Sequence, residues 1–127
     1  MKCKALIISI KGTKLSTRER FLLSKEKPWG IILFSRNLKS LKQIKKLTLQ
    51  IKKIAKNNHF PILIDEEGHT VSRLNKIINH NITASFIGAL YNKDKLLCLK
   101  IYKHYIYSLC QILKKLGFNI NTIPVLD

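Results

Sequence analysis

The acidic stretch Asp65-Glu66-Glu67 directly follows an apolar run, and Arg73 lies a short way downstream. Arg36-Asn37 follows a second apolar run in the same manner, and Asp127 follows another. Carboxylates accept hydrogen bonds from hydroxyl groups, and arginine donates to hydroxyl or carbonyl oxygens. Gathered at one place, such groups suit a polyhydroxylated ligand such as a sugar. Taken one at a time, Asp65 also reads as a helix-capping or loop carboxylate. Arg73 also reads as the partner of Glu66 or Glu67 in a surface ion pair.

Whether these groups meet depends on the elements that carry them. Residues 5–10 (ALIISI), 30–35 (GIILFS), 60–65 (FPILID) and 119–125 are short continuous apolar runs, each predicted as a strand. Between them the pattern turns helical. Ser16-Thr-Arg-Glu19 has the form of a capping box and opens a short helix to about Lys25, which Pro28 ends. Ser40-Leu-Lys-Gln43 is a second box. The helix it opens has a stripe of Leu41, Ile44, Leu47, Ile51, Ile54 and Ala55, with lysines on its remaining faces. That basic face suits solvent over a buried stripe better than a membrane surface. A short helical piece at 83–91 and a long helix at about 93–116 follow. The stripe of the long helix is Leu97, Ile101, Tyr105, Leu109, Ile112, Leu113 and Leu116, and Gly117 stands at the left-handed C-cap position.

This βαβαβαβ order, with strands apolar throughout, predicts an α/β fold with a parallel sheet covered by helices. Ligands of such folds bind at the C-terminal strand ends, which is where the polar groups fall. Lys11-Gly12-Thr13-Lys14 after the first strand lacks the glycines of a dinucleotide fingerprint, and there is no P-loop, so a barrel is the better reading.

Three segments carry a resemblance. Gly30-Ile-Ile-Leu-Phe-Ser-Arg36-Asn37, Ile64-Asp65-Glu66-Glu67-Gly68-His69-Thr70-Val71-Ser72-Arg73-Leu74 and Gly117-Phe-Asn-Ile-Asn-Thr-Ile-Pro124-Val-Leu-Asp127 resemble three ordered signatures of glycoside hydrolase family 3. In its bacterial β-N-acetylhexosaminidase branch these places read G-V-I-L-F-x-R-N, V-D-Q-E-G-G-R-V-Q-R-L and G-I-N-x-N-F-A-P-V-L-D. The resemblance spans the whole chain, 1–127, as one partial domain. It implies the N-terminal half of a (β/α)8 TIM barrel, about four parallel strands with covering helices. It implies hydrolysis of terminal N-acetylglucosamine from peptidoglycan fragments in cell-wall recycling, through a glycosyl-enzyme intermediate and without metal or cofactor. Asp65 and Arg73 are the implied substrate-binding residues. Arg36 and Asn37 organise the strand-end loop, and Asp127 either supports the site or is a free terminal aspartate.

Glu66 stands where the branch has Gln, His69 where it has the second Gly, and Thr70 where it has the first Arg. A histidine reaches positive φ only at some cost. His69 is not read as an acid or base, since nothing in the sequence orients it, and His59, His80 and His104 are expected on the surface. A complete barrel takes roughly 250 residues, about twice this length. The family's nucleophilic aspartate and its acid/base histidine both fall beyond Asp127, so no catalytic residue is assigned here. The pairing of Asp65 with Glu67 as catalytic carboxylates is set aside for the same reason. The expectation is a truncated barrel, inactive alone, with a separately encoded C-terminal half as a partner. The alternative is a non-catalytic relic, or a basic module binding anionic glycan or nucleic acid.

Composition sets the outer bounds. The 127 residues carry a net charge of +17, but 20 of the 24 basic residues are Lys. Lys, Ile and Asn together make 48 residues, and all three have A/T-rich codons. The charge therefore reads as composition bias rather than a specific nucleic-acid site, which leans on Arg and stacking aromatics. No apolar run nears the roughly 18 residues of a membrane span, and the N-terminal apolar core is shorter than a signal-peptide segment. A cytoplasmic protein, neither secreted nor inserted in a membrane, is the expectation. Cys3, Cys98 and Cys110 have no metal-type spacing and are read as reduced, partly buried thiols.

Overall fold

A computed structural model describes residues 3–68, 71–79 and 82–123. Its elements run β1 (Lys4–Ser9), α1 (Thr17–Lys25), β2 (Pro28–Leu33), a 3-10 turn (Ser35–Asn37), α2 (Leu41–Ala55), β3 (Ile62–Ile64), α3 (Ala84–Lys93), α4 (Lys95–Leu116) and β4 (Ile120–Asn121). The four strands form one parallel sheet in the order β1-β2-β3-β4. This is the α/β arrangement that the alternation of apolar runs and helices predicts.

Side chains two apart on a strand share a face. Ile31 and Leu33 of β2, with Ile62 and Ile64 of β3, join Ile44, Leu47 and Ile51 of α2 and Leu109, Leu113 and Leu116 of α4 in one buried core. Enclosing a side chain of this size is worth about 1.5–3 kcal/mol relative to leaving it exposed. The lysines of α2 are largely solvent-facing, as its stripe requires. Gly30 lets β2 and β3 approach closely, since a Cβ there would lie 3.0 Å from Pro61 Cβ.

Several boundaries differ from the sequence reading, each for a local reason. Ile10 leaves β1 and turns into the core, so the strand ends at Ser9. The second run starts earlier, at Pro28, and stops at Leu33, because Ser35 to Asn37 coil into a 3-10 turn. The third run narrows to three residues, Phe60 being used for packing instead. Asp94 separates α3 from α4 and caps the latter, its side chain accepting from the Leu97 N–H at 2.9 Å. The fourth run shortens to Ile120–Asn121, and its portion at 124–125 lies outside the described residues.

The box at Ser16 forms in full, with Ser16 accepting from the Glu19 N–H and Glu19 from the Ser16 N–H. The box at Ser40 forms only by half. Ser40 accepts from the Gln43 N–H, but Gln43 reaches past the cap to accept from the Lys39 N–H (2.9 Å) and donates to the carbonyls of Thr13 (2.7 Å) and Asn37 (3.1 Å). The glutamine serves the strand-end loops rather than its own helix.

Helical cover is also less complete than predicted. β1 is exposed along most of its length, with Leu6 at 55% and Ile7 at 48%. Leu97 and Ile101 of the α4 stripe are exposed as well, because the first turns of α4 pack on α3 while only its second half meets the core. Of the three thiols only Cys98 is buried, and Cys3 and Cys110 are exposed. His59 and His104 are exposed, whereas His69, Thr70, His80 and Asp127 lie outside the described residues.

Candidate functional site

The parallel register aligns the ends of the strands. Ser9 pairs with Ile32, Leu33 with Ile64, and Ile64 with Asn121, so Ile10, Phe34, Asp65 and Thr122 leave the sheet along one edge. Arg36 and Asn37 tie this edge together, as the sequence predicts. Asn37 is fully enclosed; it donates to the carbonyls of Ile10 (3.0 Å) and Gly12 (2.9 Å) and accepts from the Phe34 N–H at 2.9 Å. Arg36 donates to the Ile10 carbonyl (3.2 Å) and to Ser9 Oγ (3.1 Å), with its guanidinium 4.7 Å from the centre of the Phe34 ring.

Asp65 and Arg73 are brought together. Arg73 Nη2 donates to Asp65 Oδ2 at 2.9 Å, and the two side chains are 29% and 16% exposed. The ion pair of Arg73 with Glu66 or Glu67, open from the sequence, is thereby replaced: Arg73 bonds Asp65, and Glu67 points to solvent. The Arg73 guanidinium also sits 5.5 Å from the Phe34 ring, so one aromatic ring faces both arginines. Asp65 Oδ1 accepts from the Thr122 hydroxyl at 2.8 Å. Among the described residues each carboxylate oxygen thus has one donor, leaving lone-pair capacity on both.

Four further residues shape the site and were not singled out as site residues from the sequence. Glu66 is fully enclosed and accepts from the Ser72 hydroxyl and from the backbone N–H groups of Arg73 (2.9 Å) and Leu74 (3.0 Å). Asn121 accepts from the Glu66 N–H (2.9 Å) and donates to the Glu66 carbonyl (3.1 Å). Asn119 does the same one strand-repeat earlier, accepting from the Ile62 N–H and donating to the carbonyls of His59 and Phe60. The Asn-x-Asn spacing, two residues apart and so on one side of a strand, is the signal that points to such a backbone ladder. Thr122 stands where the family pattern has Phe, and nothing in its own spacing marks the hydroxyl as useful.

Burial first, then the charge of Glu66 and the neighbouring Tyr102, push the Tyr105 phenol above its ordinary value. The ring therefore stays neutral beside the carboxylate. Among the described residues no three His, Cys, Asp or Glu side chains gather to hold a metal ion, and no helix is long and apolar enough to cross a membrane. What the arrangement offers is a fixed carboxylate beside a fixed guanidinium at the C-terminal edge of a parallel sheet, a combination that accepts from and donates to hydroxyl groups.

No protein-family model matches the chain. A β-hexosaminidase of Alkalilimnicola ehrlichii is 31% identical over 124 residues, covering 96% of this chain and 35% of the relative. One of Stenotrophomonas maltophilia is 29% identical over 122 residues, covering 96% and 36%. The chain therefore spans about a third of the length of these curated relatives. Among solved structures, NagZ from Neisseria gonorrhoeae in complex with N-trifluoroacetyl-D-glucosamine superposes with a TM-score of 0.86 at 27% identity, over 98% of this chain and 37% of that one. A glycoside hydrolase family 3 β-N-acetylglucosaminidase from a Paenibacillus species gives a TM-score of 0.71 at 29% identity, over 94% and 22%. Over nearly its whole length, the chain corresponds to the N-terminal portion of a glycoside hydrolase family 3 enzyme of the β-hexosaminidase branch.

Proposed function

We propose that these residues supply the sugar-holding half of a β-N-acetylhexosaminidase site that acts on N-acetylglucosamine-containing peptidoglycan fragments in cytoplasmic cell-wall recycling. The observation that carries this reading is the Asp65–Arg73 pair at the strand-end edge, with Thr122 on the other carboxylate oxygen. Asp65 accepts from hydroxyls of the terminal N-acetylglucosamine, and Arg73 donates to the same sugar. The ligand named for the Neisseria neighbour, an N-acylated glucosamine, supports the substrate class. The family resemblance places a nucleophilic aspartate and an acid/base histidine outside residues 1–127. Further polypeptide, in the same chain or separately encoded, supplies them together with the remaining strands.

Retaining hydrolysis needs a nucleophile and an acid/base group on opposite sides of the scissile bond. A general acid or base is worth about 10²–10⁴ in rate. Ground-state contacts alone do not accelerate the chemical step. Purified residues 1–127 are therefore expected to bind N-trifluoroacetyl-D-glucosamine weakly, about millimolar at best because the half-site stays open to water. They are expected not to hydrolyse a chromogenic N-acetylglucosaminide. Fluorine NMR titration and a hydrolysis assay check the two halves of this prediction. Turnover by the 127-residue chain, lost on Asp65→Ala, overturns the assignment of Asp65 as a binding carboxylate.

A further inference from the structure

Glu66 is 0% exposed, so its carboxylate is closed off from solvent. It is spent on the loop that returns behind Asp65: the Ser72 hydroxyl, the Arg73 N–H and the Leu74 N–H all donate to it. Its own N–H and C=O are both held by the Asn121 side chain of β4. One residue therefore joins the end of β3, the 72–74 backbone and the end of β4. Asp65 precedes it in the chain, and Arg73 hangs from its carboxylate by the main chain.

We infer that Glu66 is a positioning residue that presets the Arg73 guanidinium against Asp65, so that the sugar-holding pair exists before ligand arrives. The consequence for ligand rests on the sugar-site reading; the effect on Arg73 does not. A long side chain takes its place from where its backbone is anchored, and the one hydrogen bond of Arg73 Nη2 to Asp65 does not by itself fix so long a side chain. Without an acceptor at position 66, the Arg73 and Leu74 N–H groups and the Ser72 hydroxyl lose the carboxylate that gathers them, and the 72–74 segment is free to move off the strand ends. Glutamine can fill the same role. Its oxygen accepts from both N–H groups, and its amide donates to the Ser72 hydroxyl oxygen, since a hydroxyl accepts as well as donates. Leucine matches the volume and offers no acceptor.

The test uses the whole 127-residue chain with two readouts. The first is the Arg73 Nε–H signal in nitrogen-edited NMR; this nitrogen is enclosed and has no hydrogen-bond partner among the described residues, so its signal reports the setting of the guanidinium directly. The second is the affinity for N-trifluoroacetyl-D-glucosamine by fluorine NMR. In the original chain and in Glu66→Gln the Arg73 signal is dispersed and slow to exchange. In Glu66→Leu it collapses towards the exposed-arginine position, and affinity falls by about tenfold, the size expected for one lost strong hydrogen bond. In the Arg73→Ala background Glu66→Leu brings no further loss. An unchanged Arg73 signal in Glu66→Leu, or an equal loss of affinity in the Arg73→Ala background, overturns the inference. Should Glu66→Leu not fold, Glu66→Asp replaces it: the carboxylate is drawn back by one methylene, the Arg73 signal must move, and an unmoved signal overturns the inference. If the original chain binds no sugar while the signal still collapses in Glu66→Leu, the sugar-site reading falls and the positioning role stands.

Discussion

Asp65 draws its two donors from different parts of the chain, Arg73 on the returning loop and Thr122 just past β4. A carboxylate held at both oxygens keeps its plane, so the remaining lone pairs point in fixed directions. Thr122 is exposed, and its hydroxyl can be removed without emptying the core. Thr122→Val is therefore expected to leave the thermal midpoint nearly unchanged while weakening binding of N-trifluoroacetyl-D-glucosamine by about three- to tenfold, the worth of a modest hydrogen bond. Titration of both proteins at equal concentration checks this, and equal affinities would remove Thr122 from the site. The sequence pointed to Asp65 and Arg73 through the motif in which they stand. It did not point to Asn121 or Thr122 as site residues, because their contacts join segments distant in the chain, nor to Glu66, whose bonds depend on the path of the loop that follows it.

At the scale of elements, the helix termini are held by specific contacts. The Glu19 carboxyl closes the α1 capping box. Burial raises its pKa, but hydrogen bonds from the Lys11 N–H, the Ser16 hydroxyl and the Ser16 N–H, with the charge of Lys11, outweigh that and hold it below the ordinary 4.5. A carboxyl whose folded pKa is lowered adds stability above its unfolded value and loses it as pH falls through the folded one. The stability difference between the original chain and Glu19→Gln should therefore be present at neutral pH and be lost in acid, as pH falls below 4.5 and through the lowered folded value. Denaturant titrations at both pH values measure it. Gly117 closes α4 in the left-handed region at φ 94°, and a Cβ there would fall 2.4 Å from Thr48 Oγ1. That hydroxyl donates to the Leu116 carbonyl at 2.7 Å and so ties α2 to the end of α4. Gly117→Ala must strain the backbone and displace Thr48 together, which should cost about 2–3 kcal/mol in denaturant unfolding.

On the scale of the molecule, the sheet among the described residues is bounded by β1 and β4, and its outer elements expose apolar side chains. Leu6 and Ile7 on β1, Phe86 and Tyr91 on α3, and Leu96 and Leu99 on α4 are all exposed. Sheet edges and apolar faces of this kind favour association. A net charge of +17 opposes it at low ionic strength, where repulsion between copies is least screened. Residues 1–127 are thus expected to self-associate, and more strongly as salt is raised. Sedimentation at two ionic strengths reads this out; a monodisperse monomer in both would contradict it.

The sequence by itself determined the order of elements, the parallel sheet and the family, because each depends on local patterns: apolar runs for strands, three- and four-residue spacing for helices, and motifs read along the chain. The Ser16 box and the Gly117 cap are equally local, and both form where they are written. Tertiary structure decided what the polar groups do. Gln43 abandons its own helix cap for the carbonyls of Thr13 and Asn37, and Glu66 turns inward to hold the loop that aims Arg73. It also decided which apolar residues are covered, since the spacing that places Leu97 and Ile101 on a stripe does not reveal that α4 reaches the core only in its second half. The physical reason is the same in each case. A hydrogen bond or a packed face needs its partner to arrive, and the partner is set by which distant segments the sheet brings to one edge.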